Sequence, residues 1–181
     1  PEANKIFNDV PPEHWAYDYI NYLRWNDIAD GDSDGNFNPE SGITRAEFTK
    51  LLCCAFKLED APGTVSFEDV AQTAWYFKYI RTAAGNNIIY GDSDGNFNPD
   101  SKITRKDIAA IIYRIAKSKG MEFSAEKQFN DSCDIAEYAR EAVAYLGGAG
   151  ILSGDGGFFR PNGNATRAEA AAIIYQLIKK L

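Results

Sequence analysis

The chain contains a single histidine, His14, and three cysteines, of which Cys53 and Cys54 are adjacent and Cys133 lies far from both. One imidazole, with Ala74 and Glu137 at the matching places further along, argues against a Ser-His-Asp relay, a His-rich metal site and a zinc motif. An odd cysteine count with no Cys-x-x-Cys spacing makes no disulfide framework, so the thiols are expected to be small buried hydrophobes. No apolar run approaches the roughly 18 residues that a membrane span needs, so no membrane insertion is expected. Pro1-Glu2-Ala3-Asn4-Lys5 is not a signal peptide, and an exported chain would take its signal from outside this sequence. Positive charge is also scarce: 19 Lys and Arg face 26 Asp and Glu, for a net charge of −7. That balance disfavours nucleic acid, whose binding relies on a basic surface. It also means that any anionic ligand must be captured by local donors against the overall field.

What remains is ordinary globular composition, 45% hydrophobic and 25% charged over 181 residues, with ample length for a core. Its organisation is repetitive. Phe7-Asn8-Asp9-Val10 returns as Phe67-Glu68-Asp69-Val70 and, weakened, as Phe129-Asn130-Asp131-Ser132. Ile43-Thr44-Arg45-Ala46-Glu47 returns as Ile103-Thr104-Arg105-Lys106-Asp107 and Ala165-Thr166-Arg167-Ala168-Glu169, at spacings of 60 and 62 residues. Three units fill the chain, divided here as 1–60, 61–122 and 123–181.

Each unit reads as helix, loop, helix. A first helix follows the Phe-x-Asp turn, with apolar positions Trp15, Ile20, Leu23 and Ile28 aligning with Trp75, Ile80, Ala83 and Ile88 and with Tyr138, Val143, Leu146 and Ile151. It is expected to end near Asn26, Asn87 and Gly150, with Asp9, Asp69 and Asp131 placed upstream as caps. Next comes Gly31 to Pro39, repeated letter for letter from Gly91 to Pro99 and trimmed in the third copy, Gly154 to Pro161. This is the composition of a structured turn. The second helix opens on a capping box, Thr44 with Glu47, Thr104 with Asp107 and Thr166 with Glu169. Its apolar face suggests that the three second helices pack together as a central bundle with the first helices outside. The segments 57–66 and 117–128 serve as linkers, the second expected to be mobile.

An arginine at the first helical position is poorly placed, because that end of a helix carries partial positive charge. Arg45, Arg105 and Arg167 occupy it three times. Beside free helix N–H groups they read as halves of anion sites. The alternative is structural, an ion pair with a loop carboxylate such as Asp32 or Asp92. Trp15 and Trp75 read as core anchors or as flanks on which a sugar stacks. The Asp-rich loops invite a calcium reading, with Asp30, Asp32 and Asp34 at alternate positions before Gly35. An EF-hand loop needs a bidentate Glu at its twelfth position, where Ser41 stands, and unit two begins with Tyr90. Two carboxylates placed across a sugar, as glycoside hydrolysis requires, are not indicated by acids that act as caps and turns.

Taken in order and in triplicate, Phe-x-Asp-Val, a Trp-bearing helix, Gly-Asp-x-x-Gly-x-Phe-x-Pro and Ile-Thr-Arg-Ala-Glu resemble the S-layer homology (SLH) domain over essentially the whole chain. The resemblance implies an all-α, pseudo-threefold, three-lobed module around a central three-helix bundle. It implies an extracellular, non-catalytic anchor, monomeric and without cofactor or metal. Such modules attach surface-layer proteins and exoenzymes to secondary cell-wall polysaccharide of Gram-positive and related bacteria, commonly at a terminal pyruvylated N-acetylmannosamine held between lobes. The residues expected to bind it are Arg45, Arg105 and Arg167, with Thr44, Thr104, Thr166, Gly31, Gly91, Gly154, Trp15 and Trp75. Units two and three depart from the pattern at Lys106-Asp107 and at Tyr138 with its trimmed loop, and the groove of unit three is expected to be the least typical. A protein-interaction or self-assembly module is the competing reading.

Overall fold

In the computed structural model, which describes residues 7–61 and 66–181, Thr44, Thr104 and Thr166 each start a long helix with the hydroxyl accepting from the backbone N–H three residues on. The six helices are α1 (Tyr17–Trp25), α2 (Arg45–Phe56), α3 (Phe77–Gly85), α4 (Arg105–Ser118), α5 (Glu137–Gly148) and α6 (Arg167–Ile178), and no strand occurs among the described residues. The all-α reading holds, and α1, α3 and α5 end within two residues of the expected places. Pro1–Lys5 and part of the first linker, residues 62–65, lie outside the described residues.

Packing pairs helices across units. α3 lies on α2, α5 on α4, and α1 closes the circle on α6, while α6 also touches α2 and α4. Ile20, Leu23, Phe48, Leu52, Ile80, Ile108, Ile112, Val143 and Ile174 are buried in one continuous core. Ala109, Ala116 and Ala171 are fully buried, as small residues at close helix approaches should be. Just before α2, α4 and α6, three segments of the chain meet in a ring of backbone hydrogen bonds. The N–H of Ile43 donates to the carbonyl of Ala165, that of Ala165 to Ile103, and that of Ile103 to Ile43, at 3.0, 3.0 and 3.1 Å. Each unit is therefore tied to both others where its second helix begins.

Three expectations need correction. Asp9, Asp69 and Asp131 cap no helix. Asp9 accepts from the N–H groups of Phe37 and Asn38 at 2.7 and 2.6 Å, and Asp69 and Asp131 repeat this on Phe97–Asn98 and Phe159–Arg160. A carboxylate with two oxygens satisfies two adjacent donors of an otherwise unpaired loop. The second linker is packed, with Phe123 against Tyr113 and Tyr145 at 5.2 and 5.7 Å between centroids and the Lys127 N–H bonded to Ala144. Of the cysteines, Cys53 is buried, its thiol pushed up to about 12 by burial, but Cys54 is half-buried and Cys133 exposed.

Candidate functional site

The site grows out of the loop phenylalanines. Phe37, Phe97 and Phe159 are fully buried, each held on one side by the Phe of the Phe-x-Asp turn, with centroids 5.3 to 5.5 Å apart. Over each ring lies a guanidinium from the preceding unit: Arg45 over Phe97 at 4.5 Å, Arg105 over Phe159 at 5.1 Å and Arg167 over Phe37 at 4.7 Å. The Nε of each arginine also donates to the carbonyl of that same phenylalanine, at 2.7 to 2.8 Å. The arginines thus reach forward and grip the next unit's loop.

The helix-start N–H groups are not free, contrary to the sequence reading. Arg45 N–H donates to the Ser101 carbonyl and Ala46 N–H to that of Pro99, and the equivalents in α4 and α6 donate to Gly163 and Pro161 and to Ser41 and Pro39. The third donor goes to the capping threonine. A neighbouring loop satisfies what an anion would have satisfied, so only the guanidinium side chains remain as anion donors at these positions.

Beside each arginine lies a groove, and each groove draws on all three units. Groove A, about 470 Å³, joins the unit-one loop and α2 (Gly31, Asp32, Lys50) to Trp75 of unit two and Arg167 of unit three. Groove B, about 570 Å³, joins Tyr90, Gly91 and α4 (Asp107, Arg114) to Tyr138 and Arg45. Groove C, about 740 Å³, joins Gly154, Phe158, Arg160 and α6 to Trp15 and Arg105. Trp15 and Trp75 are 57% exposed and Tyr138 is 55% exposed, so these aromatics stand at groove walls and not in the core. The first turn of the helix packs its apolar side through residues further on, leaving the leading aromatic outside.

The grooves differ in charge pairing. In C, Arg105 is paired with Glu169; in A, Arg167 lies 3.4 Å from Glu47. Both glutamates also complete their capping boxes. Of the alternative structural ion pairs, those with Asp32 and Asp92 do not form, because those carboxylates turn into their own loops. Backbone hydrogen bonds from Asn36 and Asn96, followed by the side chains of Asn38 and Asn98, hold both below the usual carboxylate range. In B the acid is one methylene shorter. Asp107 binds the Thr104 hydroxyl and the Tyr138 hydroxyl, both at 2.5 Å, and does not reach Arg45. Burial lowers the pKa of Arg45 and Arg114. Burial, with the Asp107 hydrogen bond, raises that of Tyr138.

The structure thus brings Arg45, Arg105, Arg167, Gly31, Gly91, Gly154, Trp15, Trp75 and Thr166 to groove walls, whereas Thr44 and Thr104 serve as caps away from the linings. The glycines have a packing reason too: a Cβ at Gly91 would lie 2.7 Å from both the Asn96 carbonyl oxygen and the Phe67 ring. Groove B, on unit two, departs furthest from the other two in charge pairing, not a groove of unit three. Sequence reasoning missed Arg114, Lys50 and Tyr90. Arg114 aligns with Cys54 and Gln176, so no repeat signal marks it.

Among the described residues no helix is long and apolar enough to cross a membrane. Residues 6–49, 66–109 and 128–171 each match the S-layer homology domain. The amylopullulanase of Thermoanaerobacterium thermosulfurigenes is 37% identical over 183 residues, covering 99% of this chain and 10% of that protein. The exoglucanase XynX of Acetivibrio thermocellus is 36% identical over 96% of this chain and 16% of its own length. The S-layer protein EA1 of Bacillus anthracis is 34% identical over 98% of this chain and 20% of its own. The chain spans a fifth or less of each of these three relatives. With three matched segments covering most of its length, the chain belongs to the S-layer homology domain family, as three tandem copies that form an extracellular, non-catalytic module for anchoring at the cell surface.

Proposed function

We propose that the grooves hold acidic ends of secondary cell-wall polysaccharide, with a terminal pyruvylated N-acetylmannosamine as the ligand. The observation that carries this reading is the convergence, in every groove, of a guanidinium from one unit, an exposed aromatic from another and a glycine-backed loop from the third. A planar guanidinium fork suits a ketal carboxylate, and an exposed aromatic face suits the apolar face of a sugar ring. Because each groove closes within one chain, binding needs no second copy. The helix-start N–H groups take no part.

Binding to purified cell walls tests the reading. The chain is expected to sediment with intact walls and to stay in solution with walls stripped of secondary polysaccharide. Retention on stripped walls would overturn the glycan reading in favour of a protein or peptidoglycan target, the self-assembly or interaction module.

A further inference from the structure

The three grooves offer an incoming acid unequal terms. In A and C the arginine already faces a tethered carboxylate, Glu47 or Glu169, which competes with any ligand as an intramolecular anion at high effective concentration. In B the lining carboxylates, Asp107 and Asp92, bond the Thr104 and Tyr138 hydroxyls and the Asn98 side chain and make no direct pair with an arginine. Neither Arg45 nor Arg114 forms an ion pair among the described residues, although both line the same groove. Arg45 commits its Nε to the Phe97 carbonyl and one Nη to that of Tyr90, and Arg114 commits one Nη to that of Ile88. A guanidinium has five N–H donors, so most of this donor capacity is unspent. Arg114 is braced over the Tyr90 ring at 4.6 Å, which fixes it with its charge toward the groove. Partly desolvated charges with no carboxylate in direct contact are costly to keep and gain most from an arriving anion.

We infer that groove B is the primary acid-binding groove of this module and that Arg114 is its second cationic arm, closing with Arg45 on the ligand's carboxylate. The cause is the Glu-to-Asp change at position 107. The shorter acid completes no capping box and does not reach Arg45, and its two oxygens go to the Thr104 and Tyr138 hydroxyls. The inference rests on the acidic-glycan reading above and goes beyond it in ranking the grooves and naming the residue that ranks them.

Titration calorimetry of the full chain with a synthetic methyl glycoside of pyruvylated N-acetylmannosamine tests it, with thermal melts run in parallel. One strong site is expected. Arg114→Gln is expected to weaken it about 10- to 100-fold, the worth of a charged hydrogen-bond pair, and so is Arg45→Ala. Arg105→Lys and Arg167→Lys, which keep the charge, are expected to weaken it less than either, and Arg81→Gln, which removes a guanidinium outside every groove, is expected to leave it unchanged. Gln176 stands at the Arg114 position in α6, so the Arg114→Gln chain is expected to fold. Unchanged affinity in Arg114→Gln, or equal losses from all three grooves, would overturn the inference and leave the glycan reading standing. No heat from the unaltered chain would overturn that reading and the inference with it.

Discussion

Replacing Arg105 by alanine is expected to cost the fold far more than replacing Arg45, although both stand at the first position of a long helix. Arg105, its side chain 15% exposed, bonds the carbonyls of Phe159 and Ser153 at 2.8 and 3.0 Å and pairs with Glu169. Its loss leaves two carbonyls and one oxygen of a half-buried carboxylate unpartnered, the other oxygen staying on the Thr166 N–H. With charged hydrogen bonds worth about 1.5–3 kcal/mol each and non-additive, the cost is about 3–4 kcal/mol. Arg45 also gives up two carbonyl bonds, but its removal takes away a desolvated charge with no carboxylate in direct contact, and that relief offsets most of the loss. About 1 kcal/mol remains. For a chain of this size each kcal/mol moves Tm by about 2–4 °C. Scanning calorimetry is expected to show a fall of about 6–16 °C for Arg105→Ala and about 2–4 °C for Arg45→Ala. Equal falls, or a larger one for Arg45→Ala, would refute the reasoning that ion pairing separates the grooves.

Glu169→Gln keeps a cap, since glutamine serves in a capping box, but releases Arg105 from its carboxylate. A second, weaker glycan site in groove C is expected by calorimetry, and unchanged stoichiometry would contradict it. Gly91→Ala is expected to lower Tm more than Gly95→Ala. The first pushes a Cβ into a carbonyl and a ring, whereas the second meets nothing within 4 Å and carries only the penalty of a φ of +82°. The depressed carboxyl of Asp92 stabilises the fold at pH above its ordinary 3.8, and that contribution is lost as pH falls through the lower folded value. Acid titration of stability is therefore expected to be shallower below about pH 4 in Asp92→Asn than in the unaltered chain, and parallel curves would exclude the linkage.

The repeat period, the helices, the caps at Thr44 and Thr166 and the arginine positions were legible because each follows from local chemistry repeated three times. Two things were not. The pairing of α1 with α6, and of each first helix with the preceding unit, is set by packing between segments far apart in sequence. For the same reason the helix-start N–H groups looked free: the carbonyls of Pro39, Pro99 and Pro161 that occupy them come from neighbouring loops. Trp15 and Trp75 fitted an apolar stripe by spacing, yet sit at the helix entrance where that stripe has already turned outward. Arg114 has no counterpart in the other units, and a method that reads repeats passes over what occurs once.

The most direct measurement is a crystal structure of the chain with synthetic pyruvylated N-acetylmannosamine. The account predicts the sugar in groove B, its carboxylate against Arg45 and Arg114 and its ring beside Tyr138. A sugar seated away from the arginine grooves, or in A or C with B empty, would contradict it.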